Sequence, residues 1–373
     1  MIQPDARLIA LYLPQFHPIA ENDEWWGPGF TEWTNVAAAR PRFRGHHQPQ
    51  LPADLGFYDL RLPQTRDAQA ALARDHGIHG FCYYHYWFNG SRLLERPFDD
   101  VLSSKVPDLP FCLCWANESW SRAWDGLERH ILKKQEYSAA DHQRHIDWLI
   151  RAFHDERYIR IDGKPVFVFY KLHDIPDVTQ MLTMWRAEAK RNGLPGLYLC
   201  AMRTGFTEDT DAGVLATGVD AIIDFQPNGA ALPLSGNLTS RLSGVARKLL
   251  PVSVCAALAR FVTTDRVLDY RKVAEFNIAR SWPKDYTKFP CVFPSWDNSS
   301  RRKAATIIQN NDSRIYQQWL EAAIEWVQPY AAERRVVFIN AWNEWAEGCH
   351  LEPDRKNGHV FLNATLAALK TSR

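Results

Sequence analysis

No apolar stretch in this sequence is long enough to cross a bilayer, which takes about 20 consecutive apolar residues as a helix. The chain is therefore read as having no integral membrane segment. An excess of charge of either sign is also missing, with 44 Lys and Arg against 43 Asp and Glu and a formal net charge of +1. Binding nucleic acid or an anionic membrane by charge needs a basic surplus, so neither partner is expected. Basic residues gather only locally, at Arg301-Arg302-Lys303 and Arg334-Arg335, runs read as solvated faces.

Cysteine is sparse and unpatterned. The seven present form an odd set without paired CxxC spacing, which speaks against both a zinc ribbon and a disulfide framework. Cys82, Cys112, Cys114, Cys200 and Cys291 lie inside apolar runs, where a free thiol behaves as a small buried hydrophobe. His17, His46, His47 and His85 are scattered without an HExxH spacing, and no metal site is expected. No GxGxxG follows a strand-like run, so no dinucleotide cofactor is expected either. Residues Met1 to Arg7 lack the charged-then-apolar pattern of a secretory signal, and a reducing cytoplasm is the expected location. There is no internal repeat and no low-complexity tail.

Aromatic residues, by contrast, are plentiful: 15 Trp, 13 Tyr and 19 Phe make up 13% of the chain. Many stand beside polar residues rather than inside apolar runs. An indole or phenol offers a flat apolar face with a polar edge, which suits the C–H face and hydroxyl rim of a sugar, although a large core also takes aromatic filler.

Short apolar runs recur at Leu8–Leu13, His79–Tyr84, Pro110–Trp115, Pro165–Tyr170, Leu197–Met202, Ala221–Phe225, Cys291–Ser295 and Val336–Trp342. Such uninterrupted runs are the pattern of parallel strands buried on both faces. Helix signals lie between them. Pro63 opens one helix and Gly77 follows its end; Ser138 with Asp141 makes a capping start ahead of Ile146, Leu149, Ile150 and Phe153. Asp177 precedes Val178, Met181, Leu182 and Trp185, and Tyr316, Trp319, Leu320 and Ala323 give the last stripe. Alternating strands and helices, about eight of each, predict an α/β fold, a (β/α)₈ barrel forming one catalytic domain over 1–373. Long connections follow the first strand (14–62) and the sixth. The second, an insertion over 226–290, carries a helical-looking piece from Leu242 to Phe261 expected to lie over the barrel as a lid.

Chemistry is expected where the strands end, since barrel active sites form at the carboxyl ends of the strands. The expected carbohydrate-binding residues are Tyr12, His17, Trp26, Glu32, Trp33, Tyr84, His85, Trp115, Asn117, Glu118, Tyr170, Gln226, Trp296, Asp297, Trp342 and Asn343. For Glu118, Glu32 and Asp297, direct sugar contact and a structural role as hydrogen-bond acceptor stand side by side. Glycoside chemistry needs two carboxyl groups, one protonated and one ionised. Glu344 and Glu347, three residues apart after the last strand and flanked by Trp342 and Trp345, are the predicted catalytic pair. Like charge and desolvation should raise the pKa of one of them.

The chain also resembles the WbsX-like family of lipopolysaccharide-biosynthesis glycosyltransferases, which is related to glycoside hydrolase family 99, the endo-α-mannosidases and endo-α-mannanases. The resemblance runs through Tyr12 to Pro18, Asn22 to Gly27, Gly29 to Val36, Gly45 to Pro49, Leu55 to Asp59, Gly80 to Phe88, Cys114 to Glu118, Trp296 to Asn298, and Asn343 to Gly348 followed by Leu351 to Asp354. It implies a retaining mechanism on α-mannoside-like substrates, with Glu344 as base towards the sugar O2 and Glu347 as acid/base. Ala346 stands where the mannan-cleaving enzymes carry a histidine, a departure that bears on substrate identity. A sugar-nucleotide glycosyltransferase is the rival reading, with Asp209-Thr210-Asp211 as its one Asp-x-Asp. A carbohydrate-binding protein without catalysis is the third.

Overall fold

The computed structural model describes residues 6–122, 127–204, 210–228 and 265–371. Eight parallel strands form its centre: β1 Arg7–Tyr12, β2 Ile78–Phe88, β3 Phe111–Trp115, β4 Lys164–Phe169, β5 Tyr198–Met202, β6 Ala221–Asp224, β7 Lys288–Val292 and β8 Val336–Ile339. Each pairs in parallel with its sequence neighbours, and β1 pairs with both β2 and β8, which closes the sheet. This is the predicted (β/α)₈ barrel. Its strands are buried almost without interruption because Val, Ile, Phe and Cys fill both faces. Six of the cysteines are free and buried.

Several strand boundaries differ from expectation by three or four residues: the second strand runs on to Phe88 rather than ending at Tyr84, and the seventh ends at Val292 rather than Ser295. The seventh strand starts at Lys288 rather than Cys291. Lys288 can be buried because its Nζ is paired with Asp211 at 3.0 Å and Asp224 at 3.2 Å, and a buried charge needs such a partner. The eighth strand stops at Ile339 although apolar residues continue. Beyond it Trp342 packs on Phe81, and Asn343–Glu344 pairs with Cys349–His350 in a small hairpin over the barrel end.

Helices wrap the barrel: α1 Ala20–Trp26, α2 Glu32–Ala38, α3 Pro63–Asp75, α4 Arg96–Ser104, α5 Ala139–Phe153, α6 Val178–Arg191, α7 Asp211–Ala216, α8 Tyr270–Ile278, α9 Ser313–Val327 and α10 Val360–Thr371. Pro63 opens α3, and the Ser138 hydroxyl accepts the Asp141 N–H at the start of α5. Asp177 precedes α6 without capping it through its side chain. The expected lid at Leu242–Phe261 lies outside the described residues. No described helix is long and apolar enough to cross a membrane.

The connection after β1 carries α1 and α2 and is tied to the end of β8. Asn343 accepts the Leu13 N–H at 2.7 Å and donates to the Leu13 carbonyl at 3.0 Å, while itself fully buried. Asn343→Ala would leave both backbone groups unpaired, each costing about 1–3 kcal/mol. The variant is expected to lose roughly 2–4 kcal/mol in urea unfolding, with the slope unchanged.

Candidate active site

A cavity of about 720 Å³ opens at the carboxyl ends of the strands. Leu13 and Gln15 line it beyond β1, Tyr84 and Tyr86 from β2, Glu118 and Trp120 beyond β3, and Tyr170 and Lys171 beyond β4. Phe225 and Pro227 follow β6, Trp296, Asn298, Arg301 and Arg302 follow β7, and Glu344 and Glu347 follow β8. Trp26 reaches in from α1. The result is a polar floor walled by aromatic rings.

One guanidinium organises the floor. Arg301 pairs with Glu32 at 2.9 Å, Glu347 at 3.1 Å and Glu344 at 3.3 Å. It belongs to a run read from sequence as a solvated face, and that reading is corrected here: its side chain is 9% exposed. Three carboxylates take up its donor fork, which is why it tolerates burial. Its position is set by the turn Asn298–Ser300, whose start Asp297 caps by accepting the Ser299 N–H at 3.0 Å. The short 3₁₀ turn Trp345–Glu347 then brings Glu344 and Glu347 onto the same cation. Of the basic run, only Lys303 is exposed.

Burial pushes Glu344 up to about 8, against the pull of Arg301 and with the help of Glu347 and Glu32. Glu32, fully buried, is raised for the same first reason. Arg301 is held firmly charged by its three partners against the cost of burial. The flanking tryptophans contribute less directly than expected. Trp345 points away, its Nε1 donating to Glu352 at 2.6 Å and its ring stacked on His350. Glu352 also accepts from Tyr58 at 2.8 Å and Gln69 at 2.6 Å, and so holds the turn that carries the pair from beneath.

The proton on Glu344 gives a stability signature. An ordinary glutamate titrates at 4.5, so between there and about 8 the folded chain binds more protons than the unfolded one. The contribution of Glu344 to stability should therefore fall as pH rises through that window and level off above it. Glu344→Gln removes this contribution and is expected to be about 1–3 kcal/mol more stable than wild type at pH 8.5, and nearly equal at pH 4.5. Urea unfolding at the two pH values checks this.

Among the other expected residues, Trp26, Tyr84, Glu118, Tyr170 and Trp296 border the cavity, and Glu32 reaches it through Arg301. The rest are held elsewhere. Tyr12 donates to Gln69 of α3 at 2.7 Å, and Trp115 lies fully buried against Trp185 of α6. His85 stacks on Trp148 and faces His145 of α5 at 2.9 Å, burial lowering its pKa to about 3. Burial likewise lowers His17 to about 4. Asn117 exchanges hydrogen bonds with the Lys171 backbone at 2.7 and 2.8 Å, clamping the loops after β3 and β4. Gln226 binds Asp224 and the Asn228 N–H, and Trp33 donates to the Tyr58 carbonyl and packs on Trp345. Trp342 is buried on Phe81, and Asn343 is the clamp described above. Asp297 pairs with His46 at 2.7 Å beside a smaller pocket of about 160 Å³.

Gln15, Tyr86, Trp120, Lys171 and Asn298, all at strand ends in the sequence, also line the cavity, while Arg301 and Arg302 were read as part of a solvated run and missed. For Arg301 a signal existed: it lies four residues past Asp297, at the same barrel end as the carboxyl pair. Among the described residues no group of three or more His, Cys, Asp or Glu is placed to hold a metal.

Comparison with known proteins shows the family of this barrel. The sequence profile of the family described as Glycosyltransferase WbsX matches residues 8–365, so the chain belongs to the WbsX family. It is 41% identical over 369 residues to WxcX, an uncharacterised protein of Xanthomonas campestris pv. campestris, in two strains. That match covers 98% of this chain and 50% of the relative, so the chain spans about half the length of the curated relatives it matches. Among solved structures, a glycoside hydrolase-like protein aligns with a TM-score of 0.60 and 15% identity, over 99% of this chain and 95% of its own. The GH99 endo-α-mannosidase of Bacteroides thetaiotaomicron aligns with a TM-score of 0.59 and 15% identity, over 100% and 98%. At such identities these two share the fold.

Proposed function

We propose that the cavity cleaves an α-linked, mannose-like glycosidic bond with retention, in a bacterial polysaccharide of the O-antigen or capsule kind. The observation that carries this reading is the placement of Glu344 and Glu347 on one buried guanidinium in an aromatic-walled cavity. Burial pushes Glu344 up to about 8, so it can carry a proton at neutral pH, and glycoside chemistry needs one protonated and one ionised carboxyl.

The chemistry needs no group beyond these. One carboxylate takes the proton of the sugar's 2-hydroxyl while O2 attacks C1. The glycosidic C1–O bond breaks, and the other carboxyl protonates the departing oxygen. Water then attacks C1 of the 1,2-anhydro sugar, the C1–O2 bond opens, O2 recovers its proton, and the water proton returns to the acid/base. Family resemblance assigns Glu344 to O2 and Glu347 to the leaving oxygen. The deeper burial of Glu344 favours the reverse resting state, with the proton on Glu344. In a coupled pair the proton redistributes when substrate displaces water, so kinetics with different leaving groups decides the roles.

The family's description favours a second reading, transfer from a sugar nucleotide. Asp211 of the Asp-x-Asp is already held by Tyr286 at 2.6 Å and Lys288 at 3.0 Å, while Asp209 lies outside the described residues. An acceptor hydroxyl in place of water would also make the proposed chemistry a transfer without a nucleotide. The test is release of new reducing ends from α-mannan and O-antigen polysaccharides without nucleotide sugar. Turnover that appears only when nucleotide sugars are added would overturn the proposal.

A further inference from the structure

We propose that Arg302 is an anion-recognition subsite of this cavity, taking a carboxylate or phosphate carried by the glycan. The inference rests on reading the cavity as a glycan site and names the charge of the substrate class.

It follows from which charges in the cavity are already matched. Arg301 is engaged by three carboxylates, and Lys171 by Glu118 at 2.5 Å. Every lining carboxylate therefore has a cation. Arg302 also lines the cavity, half-buried, yet its side chain has neither hydrogen bond nor ion pair with any described residue. Its backbone is fixed: its N–H donates to the Asn298 carbonyl at 2.9 Å, and its own carbonyl accepts from Arg42. Asn298 is in turn held by the Thr306 N–H at 2.9 Å.

A guanidinium anchored at its root and unmatched in a cleft presents a planar fork that fits carboxylate or phosphate oxygens in pairs. Among the described residues Arg302 is the lining cation that no carboxylate reaches. Trp296, which lines the same cavity, offers a ring for the sugar that bears the anion. The anion has two sources of shared chemistry: the carboxylate of a uronic sugar within the glycan, or the phosphate of a carrier on which the glycan is built.

Calorimetric titration of the whole chain with three probes tests this: oligomannuronate, its carboxyl-reduced counterpart, and inorganic pyrophosphate. Wild type is expected to bind oligomannuronate or pyrophosphate at least tenfold more tightly than the reduced oligosaccharide, an advantage that weakens with salt. Arg302→Gln should abolish that preference and Arg302→Lys keep part of it, with unchanged urea unfolding. Preference for oligomannuronate places the anion on the glycan; preference for pyrophosphate places it on a carrier. An Arg302→Gln variant that binds all three probes as wild type does would overturn the proposal, as would a wild type without preference for either anion. Binding is read without turnover. A cleavage assay that stays silent while Arg302-dependent binding persists removes the hydrolase reading and leaves the anion site standing.

Discussion

Glu347→Gln is expected to lower kcat on a natural glycan by roughly 10²–10⁴-fold, the usual worth of a positioned proton donor. An alkoxide leaving group needs that proton, whereas a nitrophenolate does not. On an activated aryl α-mannoside the first step of the same variant should therefore approach the wild-type rate. Glu344→Gln should be slow on both substrates, because O2 must lose its proton whichever group departs. Both variants should keep the fold, since glutamine preserves volume and hydrogen bonding to Arg301. The measurement is single-turnover kinetics with the two substrates. Swapped behaviour would assign the acid role to Glu344, as its burial suggests. Unchanged kinetics in both variants would remove the pair from the chemistry.

Arg301→Met should be the most damaging single change for both stability and activity. The cation bridges three segments: Glu32 on α2, its own turn after β7, and the Glu344–Glu347 turn after β8. Removing one partner of a buried ionic cluster costs about 3–5 kcal/mol, because the remaining charges stay buried without compensation. The carboxyls would respond by keeping protons, so the loss should be smallest at acid pH. Adding Glu32→Gln to Arg301→Met should restore part of the stability while activity remains lost, since Glu344 and Glu347 would still lack their cation. Urea unfolding at pH 5 and 8 with an activity assay on each variant reads both effects. Additive stabilities in the double variant would contradict a shared cluster.

The barrel was legible because buried parallel strands announce themselves as apolar runs, and seven of the eight began within one residue of the expected place. The start of β7 was hidden by Lys288, whose charge is matched by Asp211 and Asp224 from distant parts of the chain. In the site, the end of the barrel was readable but the direction of each side chain was not. Along β2 the residues alternate, so Tyr84 and Tyr86 line the cavity while His85 and Trp87 face α5. Composition beside a strand end does not separate those two faces. Asn117 and Asn343 are polar at the strand ends because they clamp backbone from neighbouring loops. Arg301 was hidden differently: a run of basic residues looks the same whether it faces water or three carboxylates 269, 43 and 46 positions away in sequence.

The most direct measurement is ¹H NMR of the anomeric region during hydrolysis of an α-mannan oligosaccharide by wild type, without nucleotide sugar. A new reducing end that appears first as the α anomer and only later equilibrates is the expected result. First appearance as the β anomer would contradict a retaining pair, and no product without nucleotide sugar would contradict cleavage itself.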